Sequence, residues 1–351
     1  MDFDVRKTAD AEHAQQADQV LQADQVLQAD QVEPVAKAKR MLQACGEIRP
    51  STNADSTRAP LASSDGVLAA QLERVIVLLP LAAMHAGDDI EHVHQLRIAT
   101  RQALAALDAF GDLGPSRASA KLRKSLKRIR SAAGGARDLD VILLRMQTNH
   151  GGKSEKVVRR LQRERTRVQI PLVKIYKRLR HQDRLHKQIH RCLQSIQSQS
   201  AQDRSTWAMQ RLSRTINAFF DSVPGKHAAP DELHRFRVKA KQVRYALELF
   251  DRDEIGDVPN LLGPVVQEIQ SLLGKMNDHV VAAKLFRKLG RETKGKAVAK
   301  QFKVLSRKEK KKSKQKRKRF RKRWPSERLQ HAKSTYALAC RPSGDSAEPT
   351  S

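Results

Sequence analysis

Residues 93–110 read VHQLRIATRQALAALDAF, and residues 233–250 read LHRFRVKAKQVRYALELF. His94 aligns with His234, Arg97 with Arg237, Arg101 with Lys241, Leu107 with Leu247, Asp108 with Glu248 and Phe110 with Phe250, at a constant offset of 234 − 94 = 140. Further along, Gly134 and Asp138 of GGARD match Gly274 and Asp278 of GKMND at that same offset. Two helices therefore keep their register across two copies, which is the signature of a duplicated structural unit.

A helix advances about 100° per residue, so the faces of each copy can be assigned. With His94 at 0°, Arg97 falls at about 300° and Arg101 at about 340°, while Leu96, Ala103, Leu107 and Phe110 fall between about 160° and 220°. The apolar stripe thus lies opposite the cationic one. In the second copy, His234, Arg237, Lys241 and Arg244 occupy about 280–360° and Tyr245 about 20°, opposite Phe236, Val243, Leu247 and Phe250. A solvated face ordinarily mixes both signs of charge, since pairs four residues apart favour it. Here the cations recur at matching places, and the acids Asp108 and Glu248 come only at the end of the stripe. The shared faces point to anion binding.

The next helix of the first copy, KLRKSLKRIRSAAGG, repeats the pattern: Lys121, Lys124, Lys127 and Arg128 lie across from Leu122, Leu126 and Ile129. Its counterpart, LLGPVVQEIQSLLG, lacks those cations, so the two copies are unequal. Lys156, Arg160, Arg163, Arg167, Lys174 and Arg178 add further stripes, and cationic helices side by side predict one long basic groove.

The whole chain agrees with that reading. Its 351 residues carry a formal net charge of +30, which calls for a polyanionic partner or an anionic surface. Aromatic residues make up only 4%, too few for a protein that stacks many bases. Cys45, Cys192 and Cys340 lie far apart without metal-type spacing and read as reduced thiols of a cytosolic protein. No membrane span is expected, because the longest apolar stretch, Val75 to Met84, is short and contains Pro80. The polar start MDFDVRKTAD does not resemble a signal peptide.

Residues 1–62 are expected to form a disordered tail, built around the repeated hexad QADQVL and ending in a Ser-, Asp- and Pro-rich linker. From about Gly66 to Trp324 the composition is that of an all-α protein. Breaks are expected near Pro80, Gly111–Pro115, Gly134–Gly135, Gly151–Gly152, Val223–Pro230, Gly256–Pro259, Gly274 and Gly290–Gly295. Long helices between them suggest two packed bundles, one from about residue 63 to 199 and one from about 200 to 325. The run from Arg307 to Arg323 reads as a frayed, solvated helix end that attracts any polyanion, and residues 326–351 as a disordered C-terminal tail.

The paired HxxRxxxR and HxxRxxxKxxRYALExF motifs, with RDLDV and LGKMND in order behind them, resemble the CHAD domain, the conserved histidine α-helical domain, over about residues 65–325. The resemblance implies a pair of four-helix bundles related by pseudo-twofold symmetry. It implies binding of inorganic polyphosphate through a basic central surface, without catalysis or cofactor, in a bacterial cytoplasm at polyphosphate granules. Carried over by position, it implicates His94, Arg97 and Arg101, then His234, Arg237, Lys241, Arg244 and Tyr245. Positions 102 and 104 often hold Arg in that family and are Gln102 and Leu104 here, and Gln242 likewise replaces a common cation. Asp138 and Asp278 read as helix N-caps or as partners of nearby Arg.

Three other readings compete. The cationic run from Arg307 to Arg323 would also suit RNA or DNA, although sparse aromatics argue against base readout. His94, His234, Asp138, Asp140 and Asp278 could be drawn as a metal-dependent phosphohydrolase centre, but both His stand on cationic stripes and no HxxxH pair is present. His92 and His94, two apart, point to different sides of their helix. A third reading is a scaffold whose QADQVL arm recruits granule proteins.

Overall fold

A computed structural model describes residues 64–110, 116–148, 155–197, 201–225, 227–250, 255 and 257–339, and the regular structure among them is helical. In chain order these are α1 (Ser64–Met84), α2 (Glu91–Phe110), α3 (Arg117–Thr148), α4 (Glu155–Arg180), α5 (Arg184–Gln197), α6 (Ala201–Phe220), α7 (Pro230–Leu247), α8 (Val258–Glu292), α9 (Lys296–Arg323) and α10 (Ser326–Ala339). The QADQVL tail and residues 340–351 lie outside the described residues.

The apolar stripes of the two copies are core. Leu96 and Ala103 of α2 are fully buried, as are Phe236 and Val243 of α7. Each large side chain so placed stabilises the fold by about 1.5–3 kcal/mol. The equivalent residues Phe110 and Phe250 meet each other with ring centroids 5.5 Å apart. Neighbours in sequence are mostly neighbours in space: α1 packs on α2, α4 and α5, α3 on α2, α4 and α5, and α7 between α6 and α8. The two series join where α2 packs on α7, and again where α3 meets α8 and α4 meets α9.

That second junction has its own small core of Leu139, Leu161, Phe286, Leu289 and Phe302. Beside it Glu164, 1% exposed, accepts hydrogen bonds from Arg167 at 2.5 and 2.9 Å, Arg160 at 3.4 Å and Lys288 at 3.4 Å. Its cover is charged rather than apolar, so the Arg167 hydrogen bonds outweigh desolvation and hold its carboxyl down at about 2. Arg160 and Arg167 therefore turn towards Glu164 and, for Arg160, Glu292 of α8. They do not add a free stripe to a basic groove.

Several expectations are corrected. α3 runs unbroken through Gly134 and Gly135, and α8 through Gly274 and Gly290. At Gly135 a Cβ would lie 3.3 Å from Val168 Cβ, and at Gly290 3.2 Å from Phe302 Cβ. These glycines admit a close neighbour rather than end a helix, at the usual cost of about 1 kcal/mol in helix propensity. The run from Arg307 to Arg323 is not a frayed end. It belongs to α9, whose Phe302 and Phe320 are 0% and 2% exposed and anchor it at both ends. Residues 326–339, expected in a tail, form α10 with Leu329 and Tyr336 in the main core. Finally, Gly66–Met84 is, by length and composition alone, long and apolar enough to cross a membrane, because the helix extends well upstream of Val75. One face of it, Leu68, Leu72, Val75, Leu79 and Ala82, is packed in the main core.

Candidate functional site

The packing of α2 on α7 brings the two predicted cationic stripes together. Arg101 of α2 donates to the Tyr245 hydroxyl of α7 at 3.5 Å. Arg97, Arg101, Arg237 and Arg244 all lie close enough to Lys241 to oppose its charge. Flanking helices complete the walls. From α3 come Arg130, Arg137 and Asp138, and from α8 come Asn277 and Asp278.

Matching opposite charges serve both stripes. Arg97 is drawn to Asp138, and Arg237 to Asp278. Asp138 and Asp278 feel each other across the site. Both lie within the long helices α3 and α8, so they are not N-caps, and the expected role as Arg partners fits their places. Asp138 keeps exposed surface, yet the protein packed around it raises its carboxyl pKa against the opposing pull of Arg97. At the stripe ends the acids are taken up locally: Asp108 pairs with Arg123, and Glu248 with Arg244 at 3.3 Å.

The electrostatics are those of cations held together against their own repulsion. Burial, then Arg101, Arg237 and Arg244, bring Lys241 from 10.5 down to about 7. Burial, then Arg101, lower Arg97 to about 10, and burial lowers Arg130 and Arg237. His94 falls to about 4, from burial first and then from Arg137, Arg101 and Arg97, so at neutral pH it is an uncharged hydrogen-bonding group. Arg237 Nε is buried without a hydrogen-bond partner among the described residues. His234 Nδ1 lies 3.1 Å from Asn277 Oδ1.

The remaining sequence candidates sort by position. The Tyr245 ring is 5% exposed, with the Arg244 guanidinium carbon 4.8 Å from its centroid, so chiefly its hydroxyl is turned to Arg101. Lys121, Lys124, Lys127 and Arg128 are all exposed on α3. Measured around α3 from Gly134, Lys127 lies only about 20° away, Lys124 about 80°, and Arg128 and Lys121 about 120° and 140°. Lys127 extends the face of the site by two turns, and the other three diverge from it. Leu104 is 5% exposed in the core, and Gln102 accepts from Arg74 at 2.9 Å and donates to Glu248 at 3.5 Å. The residues at both positions serve the scaffold here. Asp140 lies on another side of α3, held by Arg165 at 2.5 and 3.3 Å, so the imagined catalytic set is not assembled.

Sequence reasoning missed Arg130 and Arg137. They flank the Gly134–Gly135 pair, and that pair was the available signal. A Cβ at Gly134 would lie 2.9 Å from Arg97 Nη1, which donates to the Arg130 carbonyl at 3.2 Å. Gly134 is therefore the floor on which the Arg97 guanidinium rests. Gly134→Leu is expected to displace that guanidinium and weaken anion binding roughly tenfold, one charge-assisted hydrogen bond's worth. Far-ultraviolet circular dichroism should stay unchanged, and an unaltered affinity would show that Arg97 does not need this seat.

An all-helical protein whose paired His/Arg helices enclose a half-buried cationic centre is thus defined. The CHAD domain family model matches residues 66–287, and the chain belongs to that family. Among solved structures, the CHAD domain from the plant Ricinus communis superposes with a TM-score of 0.57 at 20% identity, covering 82% of this chain and 96% of that one. PptA from Streptomyces chartreusis gives a TM-score of 0.50 at 19% identity, covering 75% and 98%. These likenesses support the fold. No curated protein matches.

Proposed function

We propose that the chain binds inorganic polyphosphate, without catalysis, at the centre formed by α2, α3, α7 and α8, and that it resides at cytoplasmic polyphosphate granules. The observation that carries this reading is the packing of two cationic stripes against each other, α2 on α7 with Arg101 reaching Tyr245, where burial and Arg101 lower Arg97, Arg237 and Lys241 and the positive potential is only partly met by Asp138 and Asp278. An anion threaded between α2 and α7 relieves that repulsion. Arg97, Arg101 and Arg237 can grip oxygen pairs, the Arg237 Nε gains an acceptor, and neutral His94 donates one hydrogen bond. A phosphate chain suits this centre better than a nucleic acid does, because the one aromatic ring at its heart lies covered beneath Arg244 and offers no stacking platform.

Competition tests the choice. Labelled long-chain polyphosphate bound to the full chain should resist displacement by RNA at equal phosphate concentration, and displacement at parity would overturn the reading.

A further inference from the structure

The face of α8 opposite Asp278 carries a second feature. Around α8, Asp278 and Met276 are separated by about 160°, and Ala283 and Arg287 stand about 140° and 180° from Asp278. On that far side α8 and α9 bound a groove of about 1120 Å3, closed at the hairpin end where Gly290 sits against Phe302 and reaching Pro230 and Asp231 of α7 at the other.

Its floor is apolar: Met276, Val280, Ala283, Phe286 and Val304, the last 42% exposed. Its walls are cationic, with Lys284 and Arg287 on α8 and Lys303, Arg307, Lys310 and Lys314 on α9. Asp231 is the one acid among the lining residues. None of the six wall cations enters an ion pair among the described residues, whereas Lys288 and Lys312, on other faces of the same helices, do.

We infer that this groove is a docking site for an acidic amphipathic helix of a partner protein. The α9 wall repeats cations at three- and four-residue steps from Lys300 to Arg317, a run of about 26 Å at 1.5 Å per residue, which matches a partner helix of about five turns. Charge complementarity selects the flanks of the partner, and the apolar floor selects its stripe. A phosphate chain or a nucleic-acid backbone would satisfy the walls but leave the floor against water. A helix with leucines along one face and glutamates on either side removes that apolar surface from solvent and neutralises the walls together. The groove lies on the side of α8 turned away from the polyphosphate centre, so this inference does not rest on the function proposed for that centre.

The probe is a fluorescein-labelled peptide of about 18 residues with leucines at helical i, i+3, i+4 and i+7 spacing between glutamates, titrated with the full chain at about 0.15 M salt. Its comparator is a scrambled peptide of identical composition. The ordered peptide should bind at least roughly tenfold tighter than the scramble, and Val280→Glu with Ala283→Glu should remove that advantage by placing charge on the floor. Arg97→Gln with Arg237→Gln, at the other centre, should leave peptide binding unchanged. Equal affinity for the two peptides would overturn the inference, since charge alone would then explain binding. So would peptide affinity unmoved by Val280→Glu and Ala283→Glu in a chain with native circular dichroism. Floor-dependent binding of RNA or of phosphatidylglycerol vesicles, with no preference for the ordered peptide, would assign the groove to another occupant.

Discussion

Changing Arg97, Arg101, Arg237 and Lys241 together to glutamate is expected to raise the dissociation constant for polyphosphate by at least about a thousandfold. A hydrogen bond to a charged group is worth about 1.5–3 kcal/mol, and four are lost, so a thousandfold, about 4 kcal/mol, is a conservative sum. The dependence on salt should flatten as well. By analogy with single-stranded nucleic acid, each phosphate contact contributes about 0.7 to the slope of log affinity against log salt, so the slope should fall by roughly 3. Residual binding should come from α9, whose cations stay in place. Four new acids beside Asp138 and Asp278 could disturb the fold, and the glutamine versions guard against that. They remove the attraction without adding repulsion and should still cost roughly a hundredfold. Isothermal titration with long-chain polyphosphate measures both sets. In cells, a fluorescent fusion should form puncta that vanish with the quadruple change and in a strain lacking polyphosphate kinase. Affinity within about threefold of the parent for the glutamine set would remove the centre from the binding mechanism.

The core faces of α2 and α7 were legible because helical period alone places Leu96, Ala103, Phe236 and Val243 on one side. The cationic stripes were legible for the same reason. Period says which side chains share a face, however, and not which helix that face meets. That is why Arg130 and Arg137 escaped notice, and why Tyr245, correctly set beside the cations, turned out to be covered by Arg244. Glycine misled in a physical way. The residue that ends helices also lets side chains lie against them, and Gly134 under Arg97 is the second use. In α9 the density of Lys and Arg hid a sparse anchor: Phe302 and Phe320 stand five turns apart on one face, the first against Phe286 of α8 and the second against Phe236 of α7. The stripes on α4 could not be separated from ligand-facing ones, since Glu164, the acid that Arg160 and Arg167 grip, sits among them in sequence and gives no sign of being buried.

Lys241→Met is expected to make the protein more stable and less able to bind. Lysine in an unfolded chain holds its proton to about 10.5, and in this site only to about 7, because burial and the neighbouring Arg101 and Arg237 oppose its charge. The folded pKa is lowered, so between about pH 7 and 10.5 the unfolded chain binds more protons than the folded one, and stability rises with pH across that window. The cost of carrying the lysine is accordingly largest at and below pH 7 and disappears towards pH 10.5. Methionine fills similar volume without charge and should raise the melting temperature by a few degrees at pH 6–7, the equivalent of roughly 1–2 kcal/mol once solvent screening is allowed for. The gain should shrink to nothing as the pH approaches 10. Binding should respond with the opposite sign. A bound phosphate chain stabilises the protonated amine, so affinity of the parent should fall as pH rises through about 7. In Lys241→Met the affinity should be about tenfold lower at pH 6 and nearly flat to pH 8.5, whereas Lys241→Arg should remain charged and show a flat profile at high affinity. Long chains keep titrating terminal phosphates few, so the profile reports the protein. A destabilised Lys241→Met at pH 6, or a parent whose affinity does not change between pH 6 and 8.5, would mean that the charge at this position is already compensated within the fold.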